Sequence, residues 1–267
     1  MANQISIDQL LSHLELFSEV ADEDRHTLAN RALLIRIQKS DYVFQRGAHA
    51  TGLYVVITGY VKVSIPGTDR RDKVIEFFGP GQQFGEAVMF LNHPYLSDAQ
   101  ALEDTLLVWI PHQSLGDLMS QNALFMKRMV VGLAHRFETL LHDIEIVNLH
   151  SATARLADYI LRHANQKTEL YLTLPKRTIA SKLGLQPETL SRALHKLCEE
   201  RCIDVDHQKI SIINRAALAR YAPNSTDFNA NAVAPHDLQP ALSPQHRSPP
   251  VLDSKDATFS KYSVNEF

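Results

Sequence analysis

One stretch of the sequence, Leu174 to Ile213, constrains the fold more than any other, because it has the pattern of two crossing helices followed by a hairpin. Helices that cross closely need a small residue where they touch and a turn residue that tolerates positive φ. Ala180 and Gly184 occupy these positions. Pro187 suits the first position of the second helix, where its missing N–H has no helical partner. The pattern predicts a helix-turn-helix with a wing.

The two predicted helices, 175–184 and 187–197, each have an apolar and a polar face. The apolar face consists of Ile179, Leu183, Leu185, Leu190, Ala193 and Leu197. On the polar face of the second helix, the Arg192 guanidinium can donate two hydrogen bonds to guanine and Glu188 can accept one from cytosine. Ser191 can contact thymine or a nearby phosphate. We expect these three side chains to read bases in the major groove.

Positive charge is concentrated in the same part of the chain. Residues 151–222 contain 12 Lys and Arg against 7 Asp and Glu, whereas residues 1–150 contain 12 against 18, and the whole chain carries −3. A basic domain in an acidic chain is typical of a phosphate-binding face. The expected partner is double-stranded DNA. The predicted phosphate contacts are Lys176, Arg177, Thr178, Thr189, His195 and Lys196.

The first half of the chain has the pattern of a small β-domain. A helical segment, Ile7 to Asn30, precedes short β-prone runs with glycines between them, and seven of the ten glycines lie between Gly47 and Gly85. The predicted strands are Leu33–Ile37, Tyr42–Phe44, Leu53–Ile57, Tyr60–Ile65, Val74–Phe78 and Leu106–Ile110. Evenly spaced short strands predict an antiparallel roll. The fold class is α+β, with an effector-sensing roll over residues 1–112.

A single long helix is predicted over residues 113–150. Its apolar residues follow an alternating spacing of four and three, which is typical of a coiled-coil seam. The seam consists of Met126, Val130, Leu133, Phe137, Leu140, Ile144 and Val147. Such a stripe either packs on the chain's own roll or joins two copies in a parallel dimer. We expect the dimer, since two-fold symmetry would place two recognition helices one DNA turn apart.

The remaining segments are a DNA-binding domain and a tail. Residues 151–222 form the winged helix-turn-helix, with a strand at Leu170–Leu174 and the wing hairpin at Ile203–Ile213. Residues 223–267 hold six of the 12 prolines and lack apolar periodicity. Such a segment cannot bury enough surface to offset the entropy of ordering, so we expect a disordered tail.

Composition excludes several classes of protein. The chain has 267 residues, of which 45% are hydrophobic and 21% charged, as in ordinary globular proteins. It shows neither a membrane-spanning apolar run nor a signal peptide, so we expect a cytoplasmic protein without a membrane partner. Cys198 and Cys202 provide no disulfide framework and no zinc site. The serine-elbow and zinc-protease motifs are missing from the sequence, so no enzyme is expected.

The order of roll, long helix and winged helix-turn-helix resembles the CRP/FNR superfamily of bacterial transcription regulators over residues 8–221. Phe84–Phe90 is similar to the family's phosphate-cassette segment, and Glu188–Arg192 is the E-x-x-S-R pattern of the FNR-like branch. The resemblance implies the half-site TTGAT in a palindrome TTGAT-N4-ATCAA, and RNA polymerase as a partner in activation. Phe84–Ala101 and Leu185–Ile213 resemble the DNR-type regulators of denitrification, which respond to nitric oxide and are thought to use haem.

Two effectors of this family do not match the sequence. Family members that bind cyclic AMP hold its phosphate with an Arg-Ser pair, whereas Leu96 and Ser97 stand here, and no Lys or Arg occurs between Lys73 and Lys127. A buried phosphate without a cation is costly, so we expect no cyclic AMP. Glu86 would then be satisfied by backbone amides of the roll. An FNR-type iron–sulfur cluster is also excluded, because no cysteine precedes Cys198.

The resemblance leaves haem b as the expected cofactor, held in an apolar pocket between the roll and the long helix. The predicted pocket residues are Phe84, Gly85, Glu86, Met89, Phe90, Leu91, Leu96 and Ser97. Haem iron needs an axial ligand, and His13 matches the amino-terminal histidine proposed for DNR-type proteins. His93, His112 and His135 are weaker candidates.

Other functions stay open at this point. The chain could be a CRP-like regulator of another small effector, or a regulator without an effector. It could also be an enzyme or an enzyme's regulatory subunit built on a cyclic-nucleotide-type roll, although that would leave the recognition helix unexplained.

Overall fold

The computed structural model describes residues 6–67 and 72–222, so the predicted tail over residues 223–267 lies outside the described residues. The amino-terminal region is helical, as expected, but in three pieces rather than one. These are α1 (Ile7–Ser12), a 3-10 turn (Glu15–Phe17) and α2 (Asp22–Arg31). Leu11 and Phe17 are fully buried and anchor these pieces to the roll.

The roll consists of short antiparallel strands, as its glycine-punctuated pattern predicts. The strands are β1 (Leu33–Ile37), β2 (Tyr42–Phe44), β3 (Gly52–Thr58), β4 (Val61–Ile65), β5 (Lys73–Phe78), β6 (Gln83–Phe84), β7 (Asp98–Ala101) and β8 (Thr105–Pro111). They form two four-stranded sheets, in the orders β1-β8-β3-β6 and β2-β7-β4-β5. The six predicted strands are confirmed to within one residue at each end. The sequence did not predict β6 and β7.

Aromatic side chains fill the interior of the roll. The Phe44 and Tyr95 rings stack with centroids 3.5 Å apart, and Tyr54 stacks on Phe84 at 5.3 Å. Phe78 joins them, with its ring centroid 5.2 Å from that of Phe84. The space between the two sheets is therefore occupied by the chain's own rings.

The predicted single helix over residues 113–150 is two helices. After α3 (Glu86–Phe90), the chain forms α4 (His112–Gln121) and α5 (Ala123–Leu149), with Asn122 between the last two in an extended conformation. The Asn122 side chain accepts a hydrogen bond of 2.9 Å from the Phe125 backbone N–H and so caps α5. Asparagine is a preferred N-cap because it satisfies an N–H that has no helical partner. The expectation of one unbroken helix was wrong at this residue.

The long helix α5 packs on the roll with one face and leaves most of its seam exposed, although Leu133 and Val147 are half-buried. Phe125 and Met129 are buried in the roll core. On the seam, Val130, Phe137 and Ile144 are 58%, 64% and 59% exposed. The stripe therefore does not pack on the chain's own roll in this protomer.

The carboxyl-terminal domain has the predicted winged arrangement, but the strand expected at Leu170–Leu174 lies at Glu169–Tyr171 and ends three residues earlier. Its elements are α6 (Ala152–Ala164), β9 (Glu169–Tyr171), α7 (Lys176–Lys182), α8 (Pro187–Glu199), β10 (Ile203–Asp206), β11 (Lys209–Ile212) and α9 (Arg215–Ala219). The three strands form one antiparallel sheet in the order β10-β11-β9. Ile160, Ala180 and Leu197 are fully buried at the centre of this domain. Cys198 is half-buried and Cys202 buried, and both are free thiols.

Candidate nucleic-acid interface

The turn between α7 and α8 has the geometry that the sequence predicts. Gly184 has φ +63°, in the left-handed region that glycine adopts without strain. Ala180 is fully buried, and its carbonyl accepts a hydrogen bond of 2.8 Å from the Leu185 N–H. Pro187 opens α8 at its first helical position. The two helices are thus held at a fixed crossing by the motif itself.

The three predicted base-reading residues lie together on the outer face of α8. Glu188, Ser191 and Arg192 are exposed, whereas Leu190 and Ala193 between and beside them are buried. Residues three and four apart on a helix are neighbours, so the carboxylate, hydroxyl and guanidinium form one polar strip. Such a strip on an exposed helix face can present donors and acceptors to base edges in a major groove.

The predicted phosphate contacts lie mostly around this strip. Lys176 and Arg177 are exposed at the start of α7, and His195 and Lys196 are exposed on α8. Two of these side chains already have partners, since His195 Nε2 lies 3.3 Å from Glu199 Oε1 and Lys196 Nζ lies 5.5 Å above the Tyr221 ring.

The two threonines in the predicted phosphate set are less accessible. Thr178 is only 8% exposed, and Thr189 is half-buried. The placement of Thr178 therefore disagrees with a role as a phosphate ligand. Thr178 follows Lys176 and Arg177 on the first turn of α7, and the helical periodicity directs its side chain towards the domain core.

The wing is a tight hairpin beside the two helices. Val205 pairs with Ile210 across β10 and β11, and Asp206 with Lys209. His207 at the tip has φ +54° and lies 2.7 Å from an Asp206 carboxylate oxygen. The Lys209 amino group contacts the Glu169 carboxylate at 2.6 Å. The hairpin therefore exposes mixed charge rather than a purely basic tip.

The turn glycine also touches the rest of the molecule. A β-carbon on Gly184 would lie 3.0 Å from Val147 Cγ1, 3.3 Å from an Arg155 guanidinium nitrogen and 3.4 Å from Lys73 Nζ. Arg155 donates hydrogen bonds to the carbonyls of Leu183 and Gly184 at 3.1 and 3.3 Å. The helix-turn-helix is consequently packed closely against α5, α6 and the roll.

The predicted effector-pocket residues do not line one cavity. Phe84 and Met89 are buried in two separate hydrophobic clusters, and Gly85 forms a left-handed turn with φ +94°. The remaining apolar members are exposed, namely Phe90, Leu91 and Leu96, while Ser97 is half-buried. The apolar pocket expected between roll and long helix is therefore not formed by these side chains in this protomer.

Glu86 is paired with a residue that sequence reasoning missed. Its side chain is 3% exposed and forms a hydrogen-bonded ion pair with Arg136 of α5, in place of the expected bonds to roll amides. Arg136 also donates to the Gln83 carbonyl and lies 5.1 Å from the Phe78 ring centroid. Burial raises the pKa of Glu86, and the Arg136 charge opposes that rise.

The expectation that this region lacks a cation was therefore incomplete. That expectation considered only the segment between Lys73 and Lys127. Arg136 lies outside this segment, 50 residues after Glu86, and the packing of α5 brings it against the roll. The cation is already neutralised by Glu86. The only sequence signal was that Arg136, one of two arginines in the predicted long helix, lies beside the predicted apolar seam.

His13 is exposed at the end of α1. Its Nδ1 donates a hydrogen bond of 2.6 Å to the Gln9 carbonyl, which leaves Nε2 as the nitrogen able to bind iron. His93 and His112 are also exposed, and His135 Nδ1 lies 3.5 Å from Glu138. Within the described parts of the chain, no three His, Cys, Asp or Glu side chains form a metal-binding group.

Among the helices that the structure describes, none is long and apolar enough to cross a membrane.

Two family models match the chain in the order of its domains. Residues 34–122 match the cyclic nucleotide-binding domain, and residues 154–221 match the Crp-like helix-turn-helix domain. The first match covers the roll with α4, and the second covers the domain that carries α7 and α8.

Known proteins with this arrangement are similar in sequence and fold. An "Anaerobic regulatory protein" of Aggregatibacter actinomycetemcomitans is 28% identical over 190 residues, which cover 68% of this chain and 73% of the relative. A "Fumarate and nitrate reduction regulatory protein" of Yersinia pestis is 28% identical over 196 residues, covering 70% and 78%. The structure of FixK2 from Bradyrhizobium japonicum matches with a TM-score of 0.66 at 22% identity, over 72% of this chain and 98% of that one.

The two sequence relatives are named as regulatory proteins, and the second family model is a helix-turn-helix domain, so the enzyme alternative is removed. The roll, the long helix and the winged helix-turn-helix follow one another as in the solved structures. The chain belongs to the CRP/FNR family of transcription regulators.

Proposed function

We propose that the chain is a homodimeric transcription activator that binds the palindrome TTGAT-N4-ATCAA and controls genes of denitrification or anaerobic respiration. The observation that carries the proposal is the exposed strip of Glu188, Ser191 and Arg192 on α8, since these residue types at this spacing suit a guanine-containing half-site. The relatives named for anaerobic regulation and for fumarate and nitrate reduction support the physiological setting.

The exposed seam of α5 supports the dimer. Val130, Phe137 and Ile144 form an apolar stripe that water covers in a single protomer. Burying such a stripe against a second copy would remove apolar surface from water and link two recognition helices. Activation would then require RNA polymerase as a further partner.

For the signal, we propose nitric oxide acting through haem b, with His13 as an axial ligand. The support is the resemblance to DNR-type regulators and the geometry of His13, whose Nδ1 is held by the Gln9 carbonyl while Nε2 is left for a metal. The residues expected to enclose the haem are not gathered around a cavity, so haem would have to bind against the exposed Phe90, Leu91 and Leu96.

A second candidate follows from the interior of the roll. The rings of Phe44, Tyr54, Phe84 and Tyr95 fill the space between the sheets, and Arg136 neutralises Glu86. A roll whose interior is filled by its own rings favours a regulator of a different small effector, or one that works without an effector and is controlled by its abundance.

The DNA-binding proposal is tested by fluorescence anisotropy with labelled duplexes at physiological salt. One duplex carries TTGAT-N4-ATCAA and a second the same bases in scrambled order. We expect the palindrome to bind about 10³-fold more tightly, the lower end for specific recognition. Equal affinity for both duplexes would contradict the assigned site, while leaving the fold and family unaffected.

A further inference from the structure

The amino group of Lys182 lies where the helix-turn-helix, the roll and the long helix meet. Lys182 is the last residue of α7, and its Nζ lies 3.2 Å from Glu76 Oε1 of β5 and 2.7 Å from Asp143 Oδ2 of α5. It also donates a hydrogen bond to the Ile75 carbonyl. The side chain is only 9% exposed. A lysine so far from water needs such partners to remain charged.

The charges continue from Asp143 into the first helix of the DNA-binding domain. Arg162 of α6 lies 3.0 Å from Asp143 and 2.8 Å from Asp158. The Asp158 carboxylate in turn lies 3.2 Å from His142 Nε2 of α5. These pairs connect α5 and α6 on both sides of the junction at 150–151. Lys182 adds the roll and α7 to the same network.

A second set of contacts fixes the same end of α7 to the start of β5. The Ser181 hydroxyl donates to the Asp72 carbonyl at 2.8 Å and accepts from the Val74 N–H at 3.2 Å. Lys73 Nζ donates to the Ser181 carbonyl at 3.3 Å. The last carbonyls of a helix lack intrahelical partners, and cations are favourable there. The roll thus caps the carboxyl end of a helix in the DNA-binding domain.

Asp143 stays ionised at this junction. Burial raises its pKa, but the charges of Lys182 and Arg162 outweigh burial and hold the pKa below its ordinary value. At neutral pH Asp143 is therefore a carboxylate, and Arg162 beside it, whose pKa is raised by Asp158 and Asp143 despite burial, is a cation. None of these residues lies on the base-reading strip of α8.

We propose that Lys182 is a positioning residue that latches the helix-turn-helix to the roll and the long helix through Glu76 and Asp143. The Lys182 latch makes the three parts move as one body, so a change in the shape of the roll is transmitted directly to α7. This inference goes beyond the proposed function, since it holds whichever DNA sequence or effector the protein recognises.

A double-mutant cycle measures the latch in the full-length protein. The variants are Lys182→Met, Glu76→Gln and the two combined, with Lys127→Met as a control for loss of an exposed lysine on α5. Trp109, the chain's only tryptophan, lies in β8 and reports on unfolding of the roll. We expect the unfolding equilibrium constant of the double variant to differ by about tenfold from the value obtained by combining the effects of the two single variants. Additive effects would overturn the latch.

Hydrogen exchange provides a readout that loss of stability alone would not reproduce. In Lys182→Met, we expect faster exchange in the peptides that contain α6, α7 and α8, with unchanged exchange in β1 and β3. Lys127→Met should match the wild type everywhere. Unchanged exchange of α7 in Lys182→Met would refute the latch.

If Lys182→Met does not fold, Glu76→Gln serves alone, because Glu76 is 30% exposed and its loss leaves Asp143 to pair with Lys182. It should accelerate exchange in α7 more than in α6, and the absence of that difference would also count against the latch. Neither measurement uses DNA. A protein that fails to bind the palindrome would therefore still test the latch, and the two proposals can fail separately.

Discussion

The Glu86 carboxylate of the roll is buried against the Arg136 guanidinium of the long helix. This pair joins the cassette-like segment to the helix that carries the seam. The two residues are 50 positions apart in sequence, so the contact depends on α5 packing back across the roll.

Arg136→Met should lower the free energy of unfolding at neutral pH by about 3 kcal/mol, because it leaves a buried carboxylate without its cation. This is the lower end of the range for broken buried pairs, since the Arg136 side chain is 30% exposed. Urea unfolding followed by Trp109 fluorescence measures the loss. The double variant Arg136→Met with Glu86→Gln should recover part of it. A loss as large in the double variant as in the single one would argue against the pair.

The pH dependence of the same variant follows from the pKa of Glu86. Burial raises that pKa above its ordinary value, although Arg136 opposes the rise. A carboxyl group whose pKa is higher in the folded protein destabilises the fold above that pKa, and the penalty disappears below the unfolded pKa. Removing Arg136 raises the folded pKa further. The deficit of Arg136→Met relative to wild type should therefore shrink as the pH falls from neutral towards the ordinary range of glutamate.

Arg192→Ala should weaken binding to the palindrome by about 1–3 kcal/mol and relax the preference for guanine in TTGAT. The expected cause is loss of two hydrogen bonds to one base edge. Binding to single-base variants of the palindrome measures this. As a comparison, Lys176→Ala should weaken binding to all sequences alike. It should also reduce by about one unit the slope of the logarithm of the binding constant against the logarithm of the salt concentration. Full discrimination at the guanine in Arg192→Ala would remove Arg192 from base reading.

Leu140→Asp should convert a dimer to monomers. The substitution places two carboxylates against each other in an apolar interface, which is strongly penalised. Leu140 is 38% exposed in the protomer, so the change should leave the fold of each copy intact. Sedimentation gives the mass, and anisotropy the accompanying loss of palindrome binding. Leu124→Asp, at another exposed leucine of α5 outside the seam, serves as the control. A Leu140→Asp variant that still sediments as a dimer would place the interface elsewhere.

His13→Ala should change the Soret band of the haem-loaded protein and reduce its response to nitric oxide. The imidazole Nε2 is the proposed axial ligand, because Nδ1 is bonded to the Gln9 carbonyl. Gln9→Ala keeps the histidine and that carbonyl, and should leave the spectrum unchanged. An identical spectrum in His13→Ala would exclude His13 as the ligand. A protein that never takes up haem would exclude the sensor while sparing the DNA-binding proposal.

Cyclic AMP should neither bind nor change the affinity for DNA. The resemblance to members that bind cyclic AMP matches Leu96 with their phosphate-binding arginine, and Arg136 is already paired with Glu86. Titration calorimetry with the full-length protein tests this directly. Specific binding at micromolar concentration would mean that the nucleotide displaces the Glu86 carboxylate from Arg136 or fits the roll without an arginine at position 96.

Local patterns determined most of the fold. The runs at Leu33–Ile37 and Tyr42–Phe44 have β-branched, leucine and aromatic side chains, and both are strands with the predicted bounds. In contrast, β7 has the sequence Asp-Ala-Gln-Ala, which has little intrinsic strand preference. It is a strand because it pairs with β2 on one side and β4 on the other. Tertiary pairing of this kind leaves no signal within four residues.

The candidate site was predictable where it depends on one helix and unpredictable where it depends on contacts between elements. The positions of Glu188 and Arg192 on the outer face of α8 follow from helical periodicity alone. Helix phase should also have placed Thr178 inside, and the asparagine at 122 is a recognisable N-cap. The pairing of Glu86 with Arg136 could not be inferred, because nothing in either segment specifies how α5 crosses the roll.

Gly184 is packed so closely that even a single added methyl group would contact several other elements of the protomer. Alanine there would have to adopt φ +63°, which glycine tolerates and other residues do not readily accept. Its methyl would also act as a wedge, because its three nearest neighbours belong to the long helix, to α6 and to the roll. The smallest possible enlargement of the turn would therefore press on the long helix, on α6 and on β5 of the roll. Substitutions in this turn are therefore limited by its contacts with α5, α6 and the roll as well as by the proposed contacts with DNA.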